Sequence, residues 1–150
     1  MDAAAKLRAA RLHAGLTQQQ LAELSGVRQP NIAAYERGLR HPSRLMLQRL
    51  LDAARPRPSV ILNANRAKIR EIAARHHAHN VRVFGSVARN TDRPNSDLDL
   101  LVAFDDAATL VDQAALVDEL QDLLGVPIDV VSDRALRDRD VAIRAEAVPV

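Results

Sequence analysis

The sequence predicts an α+β protein in two domains: an all-helical bundle, then a unit in which strands alternate with helices. Three observations support this. Residues before Arg55-Pro56-Arg57-Pro58-Ser59 show only helical periodicity, whereas those after it switch between helical and period-2 patterns. Two prolines two positions apart cannot continue a helix, and each biases its preceding residue towards extended geometry. The charge divides at the same place. Residues 1–59 carry ten Lys and Arg against four acidic residues, a balance of +6, while residues 60–150 carry eleven against fifteen, a balance of −4. The expected organisation is a helical domain over 1–55, a linker over 56–59 and a second domain over 60–150.

In the first domain, Leu7, Ala10 and Arg11 fit an amphipathic helix ending near Gly15. Thr17 caps a second helix whose Leu21, Ala22 and Leu24 face inward. Ser25-Gly26-Val27 is a short turn in which Gly26 can take positive φ without a Cβ penalty. A third helix runs from about Gln29 to Arg37 and is stopped by Gly38. Ser43 caps a fourth, carrying Leu45, Leu47, Leu50 and Leu51.

In the second domain, Ser59 caps a long helix reaching about His77. Val81-Arg82-Val83-Phe84 alternates as a strand and ends at Gly85-Ser86; Asp97 to Phe104 reads as the next. Ala108 to Leu124 is a helix whose Leu110, Val111, Leu116, Val117, Leu120 and Leu124 pack on the sheet. Pro127 to Val131 is a third strand, and the tail from Arg134 to Glu146 is helical. His76, His77 and His79 resemble a metal cluster, but a helix end is where histidine meets the negative dipole favourably.

Composition sets the outer limits. Apolar residues make up 47% and mean hydropathy is −0.16, enough for a packed core. Tyr35, Phe84 and Phe104 are the only aromatics, so aliphatic side chains must build that core. The absence of cysteine excludes disulfides and thiolate metal sites. No apolar run approaches the roughly 20 residues that span a bilayer, and no signal-peptide pattern opens the chain, so a cytoplasmic protein without membrane association is expected.

A basic front half suits polyanions, and an acidic back half is unusual for a second nucleic-acid reader. Two short helices joined by a glycine-containing turn allow the second to lie in the DNA major groove. Gly15-Leu16-Thr17-Gln18, Leu21-Ala22, Gly26-Val27, Gln29-Pro30, Ile32, Tyr35-Glu36, Gly38 and Pro42-Ser43 together resemble the Cro/C1-type (XRE) helix-turn-helix family over about residues 4–54. The resemblance implies that Gln18 contacts phosphate and that Gln29 and Asn31 reach base edges; both side chains can pair bidentately with adenine. Arg28, Arg37 and Arg40 would add phosphate affinity independent of sequence. Arg28 stands where the family often has a capping Ser or Thr. A four-helix protein-interaction module is the alternative reading.

The sharpest pattern runs Phe84-Gly85-Ser86-Val87-Ala88-Arg89-Asn90, then a polar loop, then Ser96-Asp97-Leu98-Asp99. A strand that ends in Gly-Ser and turns into a helix presents backbone N–H groups and a hydroxyl to phosphate oxygens. Asp97 and Asp99, two apart on a strand, direct both carboxylates to one face, and such hard oxygen donors suit Mg²⁺. Asp129 completes the set if its strand lies alongside, and an ionised residue in an otherwise buried strand is costly unless a cation accompanies it. The pattern resembles the minimal nucleotidyltransferase family of the DNA polymerase beta superfamily over about residues 60–150, and the ending Arg144-Ala145-Glu146-Ala147-Val148-Pro149-Val150 looks like that family's.

That resemblance implies a mixed sheet flanked by helices and a two-ion Mg²⁺ site on Asp97, Asp99 and Asp129, with ATP as substrate. Gly85, Ser86, Arg89 and Ser96 would bind the nucleotide, and Asp129 would help activate the acceptor hydroxyl. The family usually has Gly where Asn90 stands; Asn tolerates left-handed backbone. It also implies an antitoxin that transfers AMP from ATP to a tyrosine of a HEPN-family toxin. Fused to a helix-turn-helix, such a chain would repress its own operon at operator DNA, as a homodimer or a hetero-oligomer with the toxin. A regulator whose second domain only senses nucleotide or mediates assembly is an alternative, as is a transferase for a small hydroxylated molecule.

Overall fold

A computed structural model describes all residues, Met1 to Val150. The chain divides into two compact units, Met1–Val60 with Arg93–Asn95, and Ile61–Asp92 with Ser96–Val150.

The first unit is helical: α1 (Ala3–His13), α2 (Gln18–Ser25), α3 (Gln29–Glu36) and α4 (Arg44–Ala53). Local chemistry sets each start. The Asp2 carboxylate accepts from Ala5 N–H at 2.7 Å, and Ser43 Oγ accepts from Met46 N–H at 3.1 Å. Thr17 and Gln20 form a reciprocal capping box at the head of α2. Gly26 ends that helix at φ +71°, the left-handed conformation its missing Cβ permits. Leu7, Leu16, Leu21, Val27, Ile32 and Leu50 close over one another as the core. Leu45 is 83% exposed, because Met46 turns to the core and leaves its neighbour on the solvent side.

The stretch read as a linker enters a helix at Pro58, whose ring is pre-set for a first helical turn. The long helix expected from Ser59 to His77 is two: α5 (Pro58–Ala64) and α6 (Arg66–Arg75). Asn65 breaks it. Its side-chain amide donates to Ile61 O at 2.8 Å, offering the backbone an alternative to helical continuation.

In the second unit β1 (Ala78–Phe84), β2 (Leu98–Phe104), β3 (Ile128–Ser132) and β4 (Val148–Pro149) form one mixed sheet in the order β3-β2-β1-β4. β1 is antiparallel to β2 and β4, and β2 is parallel to β3 through the crossover helix α8 (Leu110–Leu124). β1 begins three residues before its expected start. A bulge between His79 and Arg82, with Asn80 at φ +47°, interrupts the alternation that would have revealed it. Leu98, Leu100 and Val102 of β2 face Ile69 and Ile72 of α6 and Leu116, Leu120 and Leu124 of α8 in one core. Leu110 and Val111, expected in that core, are 85% and 76% exposed: α8 turns its i, i+4, i+8 leucines to the sheet, and its first turn lies outside that stripe. The expected helical tail is two short 3₁₀ turns, Asp133–Ala135 and Asp138–Asp140, followed by α9 (Val141–Glu146). The edge strand β4 was not foreseen.

Candidate active site and nucleic-acid interface

Asp99 lies on the side of β2 that faces away from the helices' leucines. Leu98 and Leu100 are buried beneath, and Asp99 between them is half-buried on the other side. Register brings its neighbours. Asp99 pairs with Asp129 on parallel β3 and with Phe84 on antiparallel β1, the residue before Gly85. Asp97 lies one residue ahead of β2 rather than inside it and is exposed.

Asp129 is exposed as well, within a strand that alternates buried and open positions. The cost expected of a buried ionised residue therefore does not arise at Asp129. It falls on Asp99, whose carboxyl is pushed above the ordinary aspartate range, first by burial and then by the negative charges of Asp129 and Asp97, with Arg89 opposing. Cations relieve such like-charge repulsion, and the hard oxygen donors fit Mg²⁺. No three acidic or histidine side chains are drawn together tightly enough to form a finished metal cage.

Gly85 opens the four-residue helix α7 (Gly85–Ala88) at φ +71°. A Cβ there would collide with Asp99 Oδ2, so the glycine gives the carboxylate its room as well as the chain its turn. Ser86 is half-buried at the second position of this turn, and Ser96 is half-buried in the loop just before Asp97. Asn90 takes φ +57°, the left-handed geometry that the usual glycine would supply, and the turn closes with Thr91 N–H donating to Ser86 O at 2.9 Å.

One participant was missed. Glu146, the last residue of α9, accepts from Gly85 N–H at 2.9 Å, and its two oxygens accept from Arg89 Nη1 at 3.2 and 2.9 Å. These bonds hold its carboxyl below the ordinary glutamate range, the Gly85 N–H contributing most. Glu146 stood within the tail pattern, but nothing in the sequence ties it to a residue 61 positions earlier.

His76 and His79 each face a separate carboxylate rather than a common centre. His76 Nε2 lies 2.6 Å from Glu119, and His79 Nδ1 lies 2.9 Å from Asp105.

In the helical unit, a chain of polar contacts orders the residues expected to meet DNA. Arg11 Nε and Nη2 donate to the two Glu36 oxygens at 2.7 and 2.9 Å, and Arg11 Nη1 donates to Leu16 O at 2.8 Å. Gln18 Nε2 donates to Glu36 at 3.0 Å, and Gln29 Nε2 donates to Gln18 Oε1 at 2.9 Å. Burial would raise the Glu36 carboxyl, but the bonds from Arg11 and Gln18 and the Arg11 charge outweigh it and hold it low. Arg40 Nη1 donates to Asn31 Oδ1 at 3.2 Å. Arg28 heads α3 without a side-chain cap, as its lack of a short hydroxyl predicts, and both Arg28 and Arg37 are exposed.

A mixed four-stranded sheet carrying Gly-Ser beside an Asp-x-Asp strand is the frame of a nucleotidyltransferase. The chain belongs to the nucleotidyltransferase domain family, whose model matches residues 66–148, and residues 7–55 match the helix-turn-helix domain model. A Methanocaldococcus jannaschii protein with the provisional name of protein adenylyltransferase is 37% identical over 93 residues, 59% of this chain and 97% of that one. The protein adenylyltransferase MntA of Thermococcus cleftensis is 34% identical over 77 residues, 51% of this chain and 75% of that one. A solved structure described provisionally as a minimal nucleotidyltransferase matches with a TM-score of 0.57 and 48% identity, covering 61% of this chain and 95% of that chain. No helix is long and apolar enough to cross a membrane.

Proposed function

We propose that this chain is an antitoxin that transfers AMP from ATP to a tyrosine of a HEPN-family partner toxin and represses its own operon through the helix-turn-helix. The observation that carries the transfer reading is the sheet register, which sets Asp99 beside Asp129 and against Gly85. Relatives named as protein adenylyltransferases support a protein acceptor and ATP as donor.

In this reading Asp97, Asp99 and Asp129 would hold Mg²⁺, which when bound neutralises and orients the phosphate oxygens. Ser86, Ser96 and Arg89 would bind the triphosphate. The exposed Asp129 carboxylate would accept the tyrosine hydroxyl proton as that oxygen bonds to the α-phosphorus and pyrophosphate departs with the broken bond's electron pair. The approach is open, since Asp97 and Asp129 both face solvent. Gln29 and Asn31 would read base edges, with Gln18, Arg28, Arg37 and Arg40 on phosphates.

The test is incubation of the full chain with α-labelled ATP, Mg²⁺ and the product of the neighbouring gene. Label should appear on a tyrosine of that partner and vanish with Asp97→Ala. Wild-type protein that binds nucleotide but labels neither the partner nor any small hydroxylated acceptor would leave a nucleotide-sensing regulator instead. Label that persists in Asp97→Ala would refute the assigned site.

A further inference from the structure

We infer that Glu146 is the positioning residue of the phosphate cradle: its carboxylate fixes the Gly85 turn and aims Arg89 at the nucleotide's phosphates. The inference rests on the transferase reading and deepens it.

Glu146 spends both oxygens on the cradle, accepting from the Gly85 backbone at one corner and from the Arg89 guanidinium at the other. Gly85 and Arg89 are four apart, at the first residue and the C-cap of α7, so one carboxylate clamps the two ends of a single helical turn. The clamp has its own anchor. Two residues beyond Glu146, Val148 pairs with Val83 of β1, the strand that delivers Gly85. The backbone carrying the carboxylate is therefore fixed to the same strand as the turn it holds.

The donors it leaves unused decide between support and obstruction. A guanidinium carries five N–H donors on three nitrogens, and Glu146 engages only Nη1. Nε and Nη2 stay available on a side chain that is 55% exposed. A phosphate can thus be met by an oriented arginine without displacing the carboxylate. A free arginine on a surface turn would lose several rotors on binding; one already held by a charge-assisted bond loses fewer. Glu146 makes its hydrogen bonds to Gly85 and Arg89 and none to the aspartates, and its charge is the smallest of the influences on Asp99, so its main effect belongs to nucleotide binding rather than to the chemical step.

Glu146→Gln tests this directly. The amide oxygen can still accept from Gly85 N–H, but the charge that holds Arg89 is gone. Binding of trinitrophenyl-ATP to the full chain should weaken about tenfold, the scale of one charge-assisted hydrogen bond. The nucleotide KM for partner labelling should rise in step, with kcat lowered by less than about threefold because no transition-state contact is removed. On an Arg89→Ala background the same substitution should change binding less than about twofold, since its target is absent. Should Glu146→Gln fail to fold, as read by thermal melting, Arg89→Lys supplies the second route: its single ammonium nitrogen can keep the carboxylate but leaves no second nitrogen for phosphate, and it too should weaken binding about tenfold.

Unchanged or tighter nucleotide binding in a folded Glu146→Gln protein, or an equal loss with and without Arg89, overturns the inference and points to an obstructing carboxylate. Wild-type protein that binds the analogue but transfers nothing defeats the transferase reading alone, and the binding comparison still decides for or against Glu146. Wild-type protein that binds no nucleotide defeats both.

Discussion

Two carboxylates on inward-leaning positions meet opposite fates. Glu36 is almost wholly enclosed, its side chain 4% exposed, yet Arg11 answers both oxygens and Gln18 adds a third donor. Asp99 is partly buried too, yet its neighbours across the sheet and two residues back are carboxylates of the same sign. The first carboxyl is held below its ordinary range and the second is pushed above it. Burial acts in the same direction on both, so the sign is decided by what the fold places alongside. A charge completed within the chain is structural. A charge left unanswered within the chain is one that a functional site would have to complete from outside.

The sharpest way to break this contrast is Asp99→Asn. Partner labelling should fall about a thousandfold, since several kcal/mol of charge stabilisation around the phosphates go with it. Yet resistance to urea in metal-free buffer should hold steady or rise, because the repulsion from Asp129 and Asp97 is relieved. A variant that loses activity by unfolding would show instead that Asp99 is merely structural.

Glu36→Ala should do the reverse and unfold the helical unit more easily by about 3 kcal/mol in urea, because Arg11 is left charged and enclosed without a counter-charge. Operator binding should fail with it, since Gln18 and Gln29 hang on the same chain of bonds. The two sites also separate by pH. The stabilisation from Glu36 is full above the ordinary glutamate range and is lost as pH falls through its lowered folded value. The penalty at Asp99 is full above its raised folded value and disappears as pH falls below the ordinary aspartate range. Asp99→Asn should therefore flatten the stability curve on the acid side of neutrality, and Glu36→Gln should remove the steeper loss at lower pH. Both are read from urea midpoints across a pH series.

The smallest effect refines the DNA face. Gln29→Ala should cost about 1–3 kcal/mol of discrimination between operator and unrelated DNA, whereas Arg37→Ala should weaken both about equally and reduce the salt slope by about one. Fluorescence anisotropy at several salt concentrations measures both quantities.

Much of this was legible in the order of residues because its causes are local. Thr17 with Gln20, Ser43, and Gly26 at positive φ set the ends of α2 and the start of α4 from neighbours within four positions. The Gly-Ser turn and Asp-x-Asp spacing could likewise be read along the chain, and Asn90 took the left-handed backbone that its side chain allows. Errors arose where local signals were weak or misleading. Asn65 interrupts an otherwise helical pattern through a bond to the preceding turn, and the bulge at Asn80 hides the first half of β1. Leu110 carries the right residue type on the wrong side of its helix.

The sequence by itself determined which residue types the protein would have to work with: two glutamines and a row of arginines near a helix-turn-helix, three aspartates and a Gly-Ser turn in an acidic second unit. Only tertiary structure decided which charges would answer one another. Parallel pairing of β2 with β3 set Asp99 against Asp129, packing of α1 with α3 carried Arg11 to Glu36, and pairing of β4 on β1 brought Glu146 to Gly85 and Arg89. Electrostatic interaction depends on distance through space and on the solvent displaced between the groups, and neither is a property of sequence separation.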